Sequence, residues 1–355
     1  MNRLENLASL ITTDCALITS DINRRYFTGM KSSAGTILLF RERAYFIIDF
    51  RYIEKAKKLL AGDSFIKVVL QDKLYEQINH YINKYSAKSI AIESMSVTIS
   101  ELEKLKGKIS AEIDSSDTLS NSINSLRMIK SPEEIEKMIK AQRIAEEGFE
   151  HMLGFVHEGV SEREMQLELD FYMLSHGAEA LSFDTIALSG KNTSLPHGVP
   201  SDKKVEKGDF VLLDFGAVVD GYHSDMTRTF CVGQPTDKMK EVYDIVLKAQ
   251  LAALSAVKAG IKGRELDRIA RDVITAAGYG AQFGHSLGHG VGAEIHEMPY
   301  AAKSYEKELP ENSIVTIEPG IYIENEFGVR IEDFVIVKDN GCENMTKAPK
   351  ELIIL

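Results

Sequence analysis

The 355-residue sequence is poor in cysteine and has no long apolar run. Its three cysteines, Cys15, Cys231 and Cys342, lie far apart, which favours a reducing compartment over a disulfide framework or a cysteine-based zinc site. No stretch reaches the ~18 uninterrupted apolar residues that a membrane helix needs, and early charges interrupt any signal peptide. We therefore expect a cytoplasmic protein without a membrane partner.

Basic charge is also scarce relative to acidic charge. The 42 Lys and Arg side chains face 53 Asp and Glu, so the net charge is -11, which disfavours binding to a nucleic-acid backbone. Residues 1–125 carry 17 basic and 15 acidic side chains, whereas residues 126–355 carry 25 and 38. The excess carboxylates are therefore concentrated in the second part of the chain, and no nucleic-acid partner is expected.

The length predicts two domains, because a domain usually has ~100 to 200 residues. Residues 1–125 alternate short apolar runs with helical segments, as in an α/β domain whose helices cover a sheet. A polar stretch at 120–131 marks the boundary. Directly afterwards, the capping boxes that begin at Ser131 and Ser161 each predict the start of a helix. Long strands are then predicted at 210–219, 222–232, 314–323 and 329–337, with helices at about 238–258 and 264–277.

Asp214 and Asp225 belong to a predicted β-hairpin with the turn Asp220-Gly221. Both central residues of such a turn need positive φ, which Asp and Gly adopt readily. The turn sets Asp225 opposite Gly216, so the two aspartates share a face as diagonal neighbours with Cα atoms ~7 to 8 Å apart. Because Asp214 lies in an apolar run, the pair is costly unless a proton or a cation relieves it. A metal or catalytic site is one reading, and a solvated pair is the other.

Further acids and histidines follow in the second part of the chain. His285 and His289 lie in a glycine-dense segment, which suits close approach of the backbone to a ligand. Their spacing matches a zinc-protease helix, but that motif's Glu is missing and glycines break the helix. Glu318 and Glu332 interrupt apolar runs, where an ion pair with Arg330 is the alternative. Four carboxylates and one imidazole suit Mn, Fe, Co or Zn, and two divalent ions would balance the four negative charges.

Seven short motifs carry a resemblance to a known family. They are Leu-Leu-Asp214-Phe-Gly, His-Ser-Asp225-Met-Thr, Gly-His289-Gly, Ile-Glu318-Pro-Gly, Arg-Ile-Glu332-Asp, Leu-Pro-His197-Gly and Ile-His296-Glu-Met-Pro. The chain resembles the pita-bread-fold metallopeptidases over essentially its whole length, and specifically the Xaa-Pro peptidase branch of prolidase and aminopeptidase P. The resemblance implies an α/β creatinase-like N-terminal domain at 1–125 and an α+β pita-bread catalytic domain at 126–355.

The resemblance also implies a dinuclear metal site and a hydrolytic activity. Asp214 would bind one ion, His289 and Glu318 the other, and Asp225 and Glu332 would bridge them. Two divalent ions are expected, Mn²⁺ first, with Co²⁺, Zn²⁺ or Fe²⁺ as alternatives. They would share a water, present it as hydroxide to the scissile carbonyl, and leave Glu318 to accept its proton. The expected reaction removes the N-terminal residue from Xaa-Pro dipeptides or from longer Xaa-Pro peptides.

The remaining site residues have supporting roles by the same resemblance. His197 and His296 would donate hydrogen bonds to the substrate carbonyl and the tetrahedral oxyanion, or shuttle the proton. Independently of the resemblance, Arg330 lies two residues from Glu332 and so on the same strand face, where it would orient a bridging carboxylate, and His285 would pack behind the site. A homodimer is expected because similar proteins form one. The alternative function is a non-catalytic relative that binds a peptide or a partner, although such relatives usually lose ligands and this chain keeps all five.

Overall fold

The computed structural model describes residues 2–355 and divides into two compact units that part after Arg127. Alternation of side chains in the first unit gives its central sheet two buried faces. Ala16, Ile18 and Phe46 pack on one face, and Leu17 and Tyr45 pack on the other. Both faces are covered by helices, so the first unit has three layers.

The first unit has twelve elements. The helices are α1 (Arg3–Leu10), α2 (Asp21–Thr28), α3 (Ile53–Leu59), α4 (Leu74–Lys84), α5 (Ile99–Lys106) and α6 (Thr118–Met128). The strands are β1 (Cys15–Ile18), β2 (Thr36–Phe40), β3 (Ala44–Ile48), β4 (Ile66–Leu70), β5 (Ser89–Ile92) and β6 (Glu112–Asp114), in the sheet order β4-β3-β2-β1-β5-β6. The strands at the two edges pair in parallel, and the β1–β2 and β2–β3 pairs are antiparallel.

The second unit contains two helix pairs and the strands that they cover. Its helices are α7 (Pro132–Phe155), α8 (Glu162–Ser175), α9 (Asp237–Ala256) and α10 (Gly263–Ala276). Its first strands are β7 (Ala180–Leu181), β8 (Ile186–Ser189), β9 (Phe210–Phe215), β10 (Ala217–Val219), β11 (Tyr222–His223) and β12 (Met226–Cys231). The later strands are β13 (Gly288–Gly290), β14 (Glu297–Ala301), β15 (Ile314–Ile317), β16 (Gly320–Ile323), β17 (Phe327–Arg330), β18 (Asp333–Lys338) and β19 (Gly341–Asn344).

The helix starts predicted from the capping boxes are confirmed. Ser131 Oγ accepts a hydrogen bond from the Glu134 amide at 3.3 Å, while the Glu134 carboxylate accepts from the Ser131 amide at 2.8 Å. The same reciprocal pair joins Ser161 and Glu164 at the start of α8. The two helices pack against β8, β9 and β12 in one apolar core, and α9 and α10 pack against the later strands in another.

The predicted hairpin turn is confirmed, but the predicted strand lengths are wrong. Asp220 and Gly221 have φ of 51° and 82°, and Val219 pairs with Tyr222. Each of the four long strands is instead broken near an acidic residue. The first breaks at Gly216, where a Cβ would lie 2.0 Å from the Ser224 carbonyl oxygen.

At this same break, the Ala217 amide donates to the Ser224 hydroxyl rather than to a backbone carbonyl. At two later breaks, the backbone amide of the acid bonds to a segment that is distant in sequence. Glu318 donates its amide to the Leu287 carbonyl at 2.9 Å, and Glu332 donates to the Thr227 carbonyl at 3.1 Å. The acids therefore sit where chains cross between ladders and not within uninterrupted strands.

Candidate active site

One cavity of about 800 Å³ in the second unit is lined by all nine residues that the sequence singled out. They are His197, Asp214, Asp225, His285, His289, His296, Glu318, Arg330 and Glu332. Strands and strand breaks supply the four acids, His289 and Arg330: β9 and the β11–β12 break, then β13, the β15–β16 break and the segment from β17 to β18. His197, His285 and His296 lie in loops. The strand breaks thus bring distant acids to one place.

The centre of the cavity holds a tight group of three possible ligands. Asp225, His289 and Glu332 each offer one atom, and these atoms lie within 4.8 Å of one another. His289 Nε2 lies 3.5 Å from Asp225 Oδ2 and 3.5 Å from Glu318 Oε1. These distances exceed those of a good hydrogen bond but are short enough for one cation to contact several of the atoms.

The His289 ring is oriented with a lone pair towards the acids. Its Nδ1 lies 3.1 Å from the Gly290 carbonyl oxygen, which can only accept, so Nδ1 carries the proton. Nε2 then presents its lone pair to Asp225 and Glu318. Burial lowers the pKa of His289 to about 3, so the ring is neutral at pH 7, as a metal-binding imidazole must be.

Burial and mutual repulsion raise the pKa of the neighbouring carboxyls. Burial, reinforced by Glu332 and Asp214, raises the pKa of Asp225 well above its usual range. Burial and the charge of Glu318 do the same to the pKa of Glu332, and burial raises the pKa of Glu318 to about 8. Such a set accumulates repulsion that protons or divalent cations relieve. The residues present therefore fit a metal site.

Asp214 gives a second, independent sign of a missing partner. Its Oδ2 accepts a hydrogen bond from Arg330 Nη2 at 2.5 Å. Its Oδ1 is buried and has no hydrogen-bond partner anywhere in residues 2–355. A buried carboxylate oxygen normally has a donor, because desolvation without one is costly. A cation at Oδ1 would satisfy this atom.

Two supporting residues were missed by the sequence analysis. Thr227 donates to Glu332 Oε2 at 2.7 Å and accepts from Arg330 Nε at 3.0 Å. The Tyr322 hydroxyl accepts from Arg330 Nη1 at 2.7 Å. Thr227 lies two residues after Asp225, and that even spacing along a strand was the available signal. Together they fix the Arg330 guanidinium on Asp214.

His285 lies behind the ligands and contacts this support. Its Nδ1 is 2.8 Å from the Ser286 carbonyl oxygen and its Nε2 is 2.9 Å from the Tyr322 hydroxyl. Since Tyr322 accepts from Arg330, its own proton is donated to His285 Nε2. Burial lowers the pKa of His285 to about 4, which keeps this ring neutral.

His197 and His296 have a different setting, because both are exposed to solvent at the cavity surface. The His296 ring stands edge-on to His289, with 4.2 Å between ring centroids. Burial, with the charge of His197, lowers the pKa of His296. Both imidazoles are therefore accessible to a molecule that enters the cavity.

The glycines on either side of His289 let its strand pack closely against two neighbouring strands. A Cβ at Gly288 would lie 1.9 Å from the Thr316 carbonyl oxygen, and one at Gly290 would lie 2.5 Å from the Glu297 carbonyl oxygen. The glycines thus let β13 approach its two neighbouring strands, β15 and β14. Gly288 also lines the cavity, so the expectation that a glycine lets the backbone approach a ligand stays a prediction there.

Comparison with known proteins identifies the family. The Creatinase/Prolidase N-terminal domain matches residues 1–129, and the metallopeptidase family M24 matches residues 136–339. The chain belongs to metallopeptidase family M24. The predicted family and fold, a creatinase-like N-terminal domain followed by a pita-bread catalytic domain, are thereby confirmed, as is the metallopeptidase class.

Individual relatives match this M24 protein over nearly their whole length. A Xaa-Pro dipeptidase of Pyrococcus horikoshii is 42% identical over 96% of this chain and 94% of the relative. The structure of a Xaa-Pro dipeptidase from Bacillus anthracis has a TM-score of 0.95 and 44% identity, covering 99% of both chains. That of an X-Pro aminopeptidase from Thermotoga maritima has a TM-score of 0.90 and 37% identity, covering 98% of this chain and 99% of that one.

The composition favoured neither a disulfide framework nor a membrane helix. Cys15, Cys231 and Cys342 are all free thiols. Among residues 2–355, none of the helices combines the length and the apolar character needed to span a bilayer.

Proposed function

We propose that the protein is a dinuclear metal-dependent peptidase that removes the N-terminal residue before proline. The observation that carries the proposal is the buried Asp214 Oδ1, which has no hydrogen-bond partner within residues 2–355, in a cavity where His289 Nε2 also faces Asp225 and Glu318. The printed names of close relatives, Xaa-Pro dipeptidase and X-Pro aminopeptidase, support the choice of substrate.

We infer that two divalent ions are held by five side chains. Asp214, Asp225, His289, Glu318 and Glu332 would hold these ions, because all five line the cavity and offer carboxylate or imidazole atoms. Mn²⁺ is our first choice, with Co²⁺, Zn²⁺ and Fe²⁺ as alternatives, because carboxylates with one imidazole accept all four. Bound ions supply Lewis acidity at the scissile carbonyl and lower the pKa of water in the site.

The chain's own residues supply the proton transfer and the polar contacts. Glu318 lines the cavity beside His289 and would accept a proton from the attacking water. His197 and His296 are exposed to the cavity and donate hydrogen bonds to the substrate carbonyl oxygen as negative charge develops on it. Arg330 keeps Asp214 in place through Oδ2, and His285 supports Arg330 through Tyr322.

Several further properties belong to the proposal. The substrates are proline-containing dipeptides or oligopeptides, and neither nucleic acid nor a membrane is a partner. We place the protein in the cytoplasm, in keeping with its free thiols. We also propose a homodimer and a domain boundary between residues 125 and 126.

The direct test is a peptidase assay on protein purified without chelator. Xaa-Pro dipeptides and Xaa-Pro-Yaa peptides are compared across Mn²⁺, Co²⁺, Zn²⁺ and Fe²⁺, and release of the N-terminal residue is followed. Cleavage before proline is expected. Cleavage of dipeptides alone identifies a dipeptidase, and cleavage of both identifies an aminopeptidase. If no metal supports release, the non-catalytic peptide-binding alternative replaces the proposal.

A further inference from the structure

A buried carboxylate outside the metal cluster stands at the start of α8. Glu162 is 0% exposed and accepts hydrogen bonds from five donor atoms. All five are neutral groups of Ser189, Asn192 and Ser201. The shortest contacts are 2.6 Å from the Ser201 hydroxyl and 2.8 Å from the Ser189 amide.

The three donor residues bracket the segment that carries His197. Ser189 ends β8, Asn192 lies in the 3₁₀ turn Gly190–Ser194, and Ser201 follows Pro200. One side chain thus ties the beginning, the middle and the end of a loop whose tip lines the cavity. The loop packs closely on β8 at Gly198, where a Cβ would lie 2.6 Å from Leu188 Cδ1.

A carboxylate suits this place for two physical reasons. Glu162 is the first residue of α8, where the unpaired amides of a helix N-terminus favour negative charge. It also offers acceptors only, which match backbone amides that can only donate. A glutamine of the same shape would point an N–H₂ group at donors such as the Ser201 amide, and that pairing is repulsive.

We propose that Glu162 is the positioning residue for His197, holding the loop so that this imidazole reaches the substrate. The inference rests on the proposed function, because it assigns the loop to the same cavity. Glu162 itself does not line that cavity, so its effect passes through the loop.

The test compares Glu162→Gln with Glu164→Gln, its matched control one half-turn along the same helix. Glu164 is exposed and serves only the helix cap and Lys204, and glutamine is accepted in a capping box. We expect Glu162→Gln to lower kcat/KM by about 10- to 100-fold, since a displacement near 1 Å can cost that much. Glu164→Gln should stay within about twofold of the unchanged protein, and metal content should be the same in both.

Each variant is then combined with His197→Ala, which separates positioning from general destabilisation. If Glu162 acts through His197, Glu162→Gln adds less than about twofold to the loss in the His197→Ala protein. An equal fold-loss in both backgrounds overturns the inference, as does full activity of Glu162→Gln. If Glu162→Gln does not fold, Asn192→Ala removes two of the contacts and gives the same comparison with a smaller loss.

A measurement without turnover keeps this inference distinct from the proposed function. The imidazole carbon resonance of His197, assigned by its loss in His197→Ala, should shift in Glu162→Gln and stay in place in Glu164→Gln. An unshifted resonance in Glu162→Gln overturns the positioning role even if the enzyme is active. Failure of the unchanged protein to cleave any Xaa-Pro peptide overturns the proposed function instead.

Discussion

Both units of the chain bury carboxylates. Within residues 2–355, a buried carboxylate oxygen without a hydrogen-bond partner is found in the second unit. In the first unit, Glu93 is 1% exposed and accepts from the Thr19 and Ser20 amides and from Asn23 Nδ2. In the second unit, Asp214 has one oxygen on Arg330 and one on nothing within the described chain. Burial of an acid therefore does not by itself indicate a metal site. An unpaired carboxylate oxygen on a residue that lines a cavity is the stronger indication.

The largest expected effect comes from substituting these two carboxylates in the same way. Asp214→Asn should reduce Xaa-Pro cleavage by more than about 100-fold, because a ligand matters more than the ~10- to 100-fold of a supporting residue. Glu93→Gln should leave activity per folded molecule within about twofold and lower stability by about 1 to 3 kcal/mol, because a donor now faces donors.

The measurements are kcat/KM, metal content and the midpoint of thermal unfolding for both variants. Retention of activity and metal by Asp214→Asn would contradict the metal assignment. A loss of metal from Glu93→Gln would remove the contrast between the units.

An intermediate effect is expected from substituting one buried arginine in each unit. Arg330 holds Asp214, whereas Arg127 of the first unit donates to Asn23 Oδ1 at 3.0 Å. Lysine keeps the charge but loses the forked geometry of the guanidinium. Arg330→Lys should weaken metal binding by about 10- to 100-fold, and Arg127→Lys should not change it. Calorimetric titration with Mn²⁺ measures both, and equal affinities for the two variants would exclude an orienting role for Arg330.

The smallest effect is a dependence of stability on pH in the metal-free protein. Burial raises the pKa of Glu318 from 4.5 to about 8, so the folded state keeps a proton that the unfolded chain has released. That stabilisation is present below pH 4.5 and is lost as the pH rises towards 8. His289 and His285, with pKa lowered to about 3 and 4, act in the opposite direction but only below pH 6.5.

Between pH 6.5 and 8, the stability of the metal-free protein therefore follows the buried acids and not these two histidines. The unfolding temperature of chelated protein should fall across this window, and Mn²⁺ should reduce the fall because cations replace the protons. Hydrogen exchange should locate the loss of protection in residues 128–355 and leave residues 2–127 unchanged. A flat or rising unfolding temperature would contradict the electrostatics of the cluster.

The first and second units also differ in how well their strands could be predicted from the sequence. In the first unit, strands such as Thr36–Phe40 and Ala44–Ile48 are short apolar runs of the kind on which the α/β prediction for residues 1–125 rested. Local signals also located the helix starts at Ser131 and Ser161 and the turn at Asp220-Gly221. These features depend on neighbouring residues only, so one sequence contains them.

The strand breaks in the second unit could not be predicted in this way. The Glu332 amide bonds to Thr227, more than 100 residues earlier in the chain, and the Glu318 amide bonds to Leu287. Such crossings depend on tertiary pairing and leave the apolar run unchanged. The site residues were found from their residue types, from their place in apolar runs and from motifs that resemble a family. Thr227 offered only its even spacing from Asp225, and Tyr322 and Glu162 act through contacts that no local pattern encodes.

The most direct test of the proposed metal-dependent activity is a titration of Mn²⁺ into chelator-stripped protein, with release of the N-terminal residue from a Xaa-Pro dipeptide assayed at each point. We expect two ions to bind per chain and activity to appear only as they bind. Full activity of the metal-free protein, or activity without bound ions at any point, would contradict it.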